Sequence, residues 1–159
     1  MTFEFPEPLH VDGHVYHLHA YPLDGYLKNR PDWPRFRNRP GNGRGYAATW
    51  AVDGDALYLT RLSAPADDPL AQLFPGVRQP VVAYWFDGIL RGCRGDRRHV
   101  SYPSRQIYDD EIYLEIKAGR VTRQWLLDLR PVPDKTDEEI RLTLPRFLWP
   151  ARLRDDGAG

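Results

Sequence analysis

The segment YAATWAVDGDALYLTRL, residues 46–62, indicates the fold class most directly. Apolar residues occupy every second position on both sides of a central Asp-Gly-Asp, and this period of two is typical of strands with one buried face. One face of the first arm carries Tyr46, Ala48, Trp50 and Val52. In the second arm, Leu57 and Leu59 share the inner face. The segment therefore predicts a β-hairpin whose arms are joined by an Asp-Gly loop.

A second hairpin is predicted where Asp87-Gly88 separates two apolar segments. Its first arm, Val81–Phe86, is apolar on both faces, so we expect this arm to lie in the middle of the sheet. Its return arm covers residues 89–93.

A third hairpin pairs residues 111–117 with residues 121–127 across Ala118-Gly119-Arg120, where glycine can supply a positive φ. Its inward-facing residues are Ile112, Leu114 and Ile116. Shorter alternating segments at His14–Tyr21 and Ile140–Leu144 predict further strands.

Helices contribute little to the predicted fold. A single helix signal lies in residues 67–74, where an aspartate precedes proline at the first helical position. Closely spaced strands without crossover helices predict an antiparallel sheet. We therefore expect an all-β fold, an antiparallel meander of about eight strands that forms a barrel or a sandwich, with at most one short helix. The length of 159 residues fits a single β domain over residues 1–159.

Composition excludes several classes of protein. Lys and Arg total 22 and so do Asp and Glu, so the whole chain has no charge excess that would attract nucleic acid or an anionic membrane. One cysteine excludes an intramolecular disulfide and a cysteine-rich zinc site. Because the sequence shows no signal-peptide pattern and no run of about 18 apolar residues, we expect a cytoplasmic protein without a membrane partner.

Three motifs lie in the middle third of the chain: RGYAATWAV at residues 44–52, LYL at 57–59 and AYWFDGIL at 83–90. Through them the chain resembles a loose family of small, uncharacterised bacterial proteins, in which an Arg-Gly-Tyr, a Trp and a Leu-Tyr-Leu precede a Trp-Phe-x-Gly-x-Leu hairpin. The resemblance implies a bacterial, cytoplasmic protein, and it assigns no catalytic residue.

Two arginine-rich segments stand out against the balanced total charge. Residues 28–46 hold six basic residues and one acidic residue, and residues 88–105 hold five and one. Arginine favours bidentate contacts with carboxylate or phosphate groups, and neighbouring aromatic rings can anchor a partner. The candidate binding residues are Arg30, Trp33, Arg35, Phe36, Arg37, Arg39, Arg44, Tyr46, Arg94, Arg97 and Arg98. If both segments lie at one end of the barrel, they form a basic surface.

The acidic run Asp109-Asp110-Glu111 permits two interpretations. Adjacent acids in a turn before a strand point in different directions, so we expect exposure to solvent rather than acid–base catalysis. Alternatively, the same run, or the acidic residues within 134–139, could neutralise the arginines within the molecule.

Four of the five histidines lie within ten residues: His10, His14, His17 and His19. If residues 14–21 form a strand, His17 and His19 share a face about 7 Å apart, a spacing that suits zinc or copper. A polar strand face explains the same pattern without a metal, so neither a metal nor a cofactor is predicted.

The leading hypothesis is a non-catalytic binding module that displays its arginine-rich loops to a macromolecular partner, in a bacterial immunity or defence-associated role. A protein partner is preferred to an anionic small ligand and to nucleic acid. One alternative is a barrel that binds an anionic or nucleotide-like ligand at an open end lined by Tyr46, Trp50, Tyr84 and Trp85. Another is a metal-dependent enzyme that uses the histidines. Exposed edge strands also allow homodimerisation.

Overall fold

The structure, a computed structural model, describes residues 6–30, 45–98, 107–149 and 151–154. The chain is mostly β, and its helices are short. The strands are β1 Glu7–Val11, β2 His14–Leu18, β3 Ala47–Asp53, β4 Ala56–Ser63, β5 Val81–Val82, β6 Gly88–Arg98, β7 Ile107–Lys117 and β8 Arg120–Asp128. The helices are α1 Leu23–Leu27, α2 Pro69–Leu73, α3 Asp137–Thr143, a 3-10 helix at Arg146–Leu148, and α4 Ala151–Arg154.

Seven strands close into a barrel, and one further strand adds to it. The order of hydrogen-bonded neighbours is β3-β1-β2-β6-β7-β8-β4-β5, and an additional pairing between β3 and β4 closes the ring. β1 and β3 pair in parallel, with Leu9 opposite Trp50, whereas β3 and β4 pair antiparallel. The prediction of an all-β fold with about eight strands is confirmed, and of the two predicted architectures the chain adopts the barrel.

The hairpin predicted from residues 46–62 is confirmed as β3 and β4. Trp50 lies opposite Leu59, and both side chains are fully buried. The register of the two strands shifts between Thr49 and Trp50. Leu62 of β4 is also buried. The alternation of apolar residues therefore specifies the inner face of the barrel here, as period-two patterns do.

The third predicted hairpin is confirmed as β7 and β8. Its turn contains Ala118 and Gly119, whose φ angles are +49° and +78°. The second of these conformations explains the glycine, because residues with a Cβ rarely adopt it. As predicted, Ile112, Leu114 and Ile116 are buried.

The hairpin predicted from residues 81–93 is wrong. Val81–Val82 forms the two-residue strand β5, which pairs with β4 and ends the strand order instead of lying in its middle. The chain then turns at Trp85, whose indole N–H donates to the carbonyl of Pro22 at 2.8 Å. The Trp85 ring also stacks on Phe74 at a centroid distance of 5.5 Å. These contacts stabilise the turn. β6 pairs with β2 and β7 instead of β5.

The strand predicted at Ile140–Leu144 is also wrong, because these residues belong largely to helix α3. The Thr136 hydroxyl accepts the Glu139 backbone N–H at 3.2 Å and lies 3.2 Å from the Glu139 carboxyl group. Thr136 therefore caps the N-terminus of the helix, and acidic residues fill its first turn. Ile140 is the buried residue of α3, so its apolar character reflects helix packing.

The helix predicted near residues 67–74 is confirmed as α2. Asp68 caps it by accepting the Ala71 N–H at 3.4 Å, and Pro69 occupies its first position. The chain has more short helices than the single one that the sequence predicted. None of those within the described residues is long and apolar enough to cross a membrane.

The chain divides into two compact units. Unit 1 comprises Met1–Gly92 and Ile112–Leu126, and unit 2 comprises Cys93–Glu111 and Leu127–Gly159. Strands β6, β7 and β8 contribute residues to both units. The prediction of a single domain stays a prediction.

The core of unit 1 consists of apolar side chains from the barrel strands. Fully buried members include Leu9, Leu18, Trp50, Leu57, Leu59, Leu90 and Leu114. A Cβ atom at Gly92 would lie 2.8 Å from Tyr16 Cβ and 2.9 Å from Ile112 Cγ2. Glycine therefore lets β6 approach these two side chains closely.

Candidate binding site

Six of the eleven predicted binding residues lie outside the described residues: Trp33, Arg35, Phe36, Arg37, Arg39 and Arg44. The other five fall in two places. Arg30 and Tyr46 belong to unit 1. Strand β6 carries Arg94, Arg97 and Arg98, all in unit 2. The predicted basic surface requires both arginine-rich segments and stays a prediction.

Arg30 and Tyr46 are held by contacts within unit 1. Arg30 Nη1 donates to the Tyr26 hydroxyl at 2.8 Å and to the Leu73 carbonyl at 3.3 Å, and its guanidinium lies 5.7 Å from the centroid of the Tyr26 ring. Tyr46 is 2% exposed, and its hydroxyl donates to Asp24 Oδ1 at 2.5 Å. In these positions both side chains stabilise unit 1.

The aromatic residues predicted to line an open barrel end are packed together. Tyr46 and Trp50 belong to the buried core, and the rings of Trp50 and Trp85 meet at a centroid distance of 6.4 Å. The Tyr84 ring lies edge-on to Trp85 at 5.4 Å. Tyr46 and Trp50 therefore belong to the core and do not line a ligand pocket. Partial burial, together with the neighbouring Tyr26, raises the pKa of Tyr84.

Arg94 is neutralised by an aspartate within unit 2. Its Nε and Nη2 atoms each lie 2.9 Å from Asp110 Oδ2, and Arg130 Nη2 bonds to the same oxygen. The Asp110 side chain is 12% exposed, whereas both arginines are partly exposed, so water and salt screen these pairs in part. One carboxylate thus draws together two arginines.

Arg98 is paired in a similar way. Its Nη1 lies 3.3 Å from Asp109 Oδ1, and its Nη2 donates to the carbonyl of Val132. Asp109 Oδ2 also accepts the backbone N–H of Asp96 at 2.9 Å. A Cβ atom at Gly95 would lie 2.8 Å from the Asp109 Cβ, so glycine allows this approach.

The expectation that Asp109-Asp110-Glu111 forms an exposed turn is wrong. All three residues lie within β7, where Glu111 is fully buried and Asp110 nearly so. Glu111 Oε2 accepts the Tyr108 backbone N–H at 3.1 Å. The alternative, that these acids neutralise arginines of the same chain, is confirmed for Arg94 and Arg98. The reason is that ion pairing and hydrogen bonding offset the cost of burying the acids.

A cavity of about 640 Å³ lies within unit 2 and is partly open. Among the described residues, its lining combines four arginines (Arg97, Arg98, Arg152, Arg154), three aspartates (Asp96, Asp109, Asp134) and three apolar residues (Phe147, Leu148, Trp149). Such a volume is in the range of ligand pockets. This arginine cavity is the candidate binding site.

The arginines of the arginine cavity differ in how they are held. The Nε atoms of Arg97 and Arg98 are buried and have no hydrogen-bond partner among the described residues. Arg152 Nη2 lies 2.9 Å from Asp137 Oδ1 in an exposed pair. The Trp149 indole N–H donates to the Leu144 carbonyl at 2.9 Å, which fixes the ring. The arrangement can bind an anionic group beside an apolar one.

The histidines of β1, β2 and the following residue are exposed. Within the described part of the chain, no group of three His, Cys, Asp or Glu side chains is arranged to hold a metal ion. Partial burial, and then the nearby charges of Arg91 and His17, lower the pKa of His19. The neutral imidazole is therefore favoured there.

Comparison with protein-family models, with curated proteins and with solved structures finds no match for this chain. The assignment of a site consequently depends on geometry. The predicted candidates include Arg97 and Arg98 of the arginine cavity, but not the segment RFLWPARLR at residues 146–154. Its mixture of arginine and aromatic residues is the signal that could have identified it.

Proposed function

We propose that this protein is a non-catalytic binding module that binds a protein partner through the arginine cavity of unit 2. The observation that carries the proposal is the lining itself, where four arginines adjoin Trp149 and Phe147. Arginine and tryptophan are enriched among the residues that dominate protein interfaces. A bacterial immunity or defence-associated role is part of the same proposal; it is based on the small size of the chain and on the bacterial setting that the resemblance of residues 44–90 implies.

Exposed apolar side chains in unit 2 support a protein partner. Phe147 is 76% exposed and lies in the wall of the arginine cavity. Leu142 on α3 is 78% exposed, and Val132 is 44% exposed. Exposed apolar side chains of this kind, next to charged groups, are typical of interaction surfaces.

Binding is favoured over catalysis by the engagement of Asp109. Its oxygens accept hydrogen bonds from Arg98 and from the Asp96 backbone, so the carboxylate positions the wall of the arginine cavity. A general base must instead reach a substrate proton.

A photo-crosslinking experiment tests the proposal. The photoreactive residue p-benzoylphenylalanine replaces Phe147 in the full chain, expressed in its native host. The matched control places it at Ile89, which is 58% exposed in unit 1. We expect a specific protein to crosslink from position 147 and not from 89, and to bind the purified chain. Equal crosslinking from both positions, or none from 147, would overturn the proposal.

A second candidate function is the binding of a small anionic ligand, which the volume of about 640 Å³ favours. Native mass spectrometry of untagged protein tests it. A retained ligand that Arg97→Gln releases supports this candidate, and a bare polypeptide mass counts against it.

A further inference from the structure

We propose that the arginine cavity recognises a peptide segment in which one carboxylate side chain adjoins an apolar side chain. This inference rests on the proposed function and adds the chemical class of the segment. Three features of the cavity carry it: its charge balance, its unpaired arginine donors and its apolar wall.

The charges of the cavity disfavour a polyanion. Four arginines and three aspartates line it among the described residues, and the Arg98–Asp109 and Arg152–Asp137 pairs each neutralise one of these arginines. A polyanion such as an oligonucleotide would bring further phosphates against Asp96 and Asp134. A single carboxylate can instead contact Arg97 with less repulsion.

The unpaired donors favour an acceptor with two oxygens. The Nε–H groups of Arg97 and Arg98 are buried and lack partners among the described residues. A buried donor without an acceptor is unfavourable. Arg98 is held by Asp109 and the Val132 carbonyl, so an incoming carboxylate relieves this cost at Arg97 when the Arg97 guanidinium rotates towards it. Carboxylates suit arginine because each can accept two N–H groups at once.

The apolar wall favours an apolar neighbour of that carboxylate. Phe147 lies in the wall and is largely exposed. Trp149 is already fixed by its hydrogen bond to the Leu144 carbonyl, so it loses little freedom when a ligand packs on it. An apolar side chain next to the carboxylate would bury Phe147.

Selection from a display library of random heptapeptides tests this inference on the full chain. We compare the wild type with the double variant Arg97→Gln/Arg152→Gln. The matched control is Arg120→Gln, because Arg120 forms a 2.9 Å exposed pair with Asp55 in unit 1, like the Arg152–Asp137 pair in unit 2. Exposed pairs contribute little stability, so Arg152→Gln and Arg120→Gln should fold alike.

We expect the wild type and Arg120→Gln to enrich peptides with Asp or Glu next to an apolar residue, and the double variant to lose about tenfold in affinity for them. An oligothymidylate of about eight nucleotides should bind more weakly than the enriched peptides. Arg152→Gln alone provides the measurement if the double variant fails to fold.

The inference is overturned by enrichment of neutral or basic peptides, by no enrichment, by tighter binding of the oligothymidylate, or by equal loss in Arg120→Gln. Its failure is distinguishable from failure of the proposed function. A partner that crosslinks from position 147 through a segment without carboxylates overturns this inference alone.

Discussion

Units 1 and 2 each bury a carboxyl group, but they satisfy it by different means. In unit 1, Glu7 is 1% exposed and accepts the Trp50 indole N–H at 3.0 Å and the Ala48 backbone N–H at 3.1 Å. In unit 2, Asp110 accepts from the arginines Arg94 and Arg130. Two N–H donors of β3 connect the first group to the core, whereas arginines hold the second in a charged network. Burial of an acid therefore does not by itself mark a functional site.

Each unit also has a partly open cavity, and the two cavities differ in charge. The cavity of unit 1, of about 490 Å³, has one arginine, Arg78, and one aspartate, Asp53, among its described lining residues. The cavity of unit 2, of about 640 Å³, has four arginines, three aspartates and three apolar residues among its described lining residues. Because arginine and tryptophan are enriched among the residues that dominate protein interfaces, the proposed function assigns binding to unit 2.

The largest expected effect comes from Glu7→Leu, which leaves the N–H groups of Trp50 and Ala48 buried without acceptors. We expect the free energy of unfolding to fall by about 3 kcal/mol, as measured by urea denaturation. The same substitution at the exposed Glu115 is the control and should change it by less than about 0.5 kcal/mol.

A double variant tests whether this loss arises from the Glu7–Trp50 hydrogen bond. Glu7→Leu combined with Trp50→Phe should lower the free energy of unfolding by about 1 kcal/mol less than the sum of the two single variants. The reason is that Trp50→Phe removes one of the N–H donors that Glu7→Leu leaves without an acceptor. Strict additivity would contradict the role assigned to the Glu7–Trp50 hydrogen bond.

Asp110→Asn should have an intermediate effect. The variant leaves Arg94 and Arg130 together without a compensating charge, and because both are partly exposed we expect a loss of about 1.5 kcal/mol. The loss should shrink as salt rises from about 0.05 to about 1 M, whereas that of Glu7→Leu should not. Equal salt dependence of the two variants would remove the contrast between the units.

The smallest effect concerns His19 in unit 1. Its pKa is lowered from 6.5, so the unfolded chain binds the proton at a higher pH than the folded chain. This contribution to stability is therefore present above pH 6.5 and is lost as the pH falls below that value. His19→Gln should reduce the fall in urea midpoint between pH of about 7.5 and about 5.5. An unchanged pH dependence would show that the lowered pKa has no effect on folding.

Local patterns predicted much of unit 1 and little of unit 2. The alternation around Trp50 and the turn at Ala118-Gly119 depend on neighbouring residues, so they are visible in sequence. The pairing of the short strand Val81–Val82 with β4 depends on aromatic packing between segments far apart in the chain. Hydrophobic periodicity contains no information about such contacts. The helix start at Thr136 has a local signal, the Thr-x-x-Glu pattern of residues 136–139, but the strand was predicted from the alternation of the next residues alone.

The sequence alone determined that the protein is built from hairpins with one buried face, because side-chain alternation is a property of the extended chain. It left open whether the arginine-rich segments bind a partner or are neutralised within the molecule. Only the tertiary structure decided that β1 pairs in parallel with β3 and that Asp109 and Asp110 neutralise Arg98 and Arg94. It alone also brings residues 147–149, Arg152 and Arg154 to β6 residues around one cavity. These outcomes depend on contacts between segments far apart in the chain, whose free energies no local pattern contains.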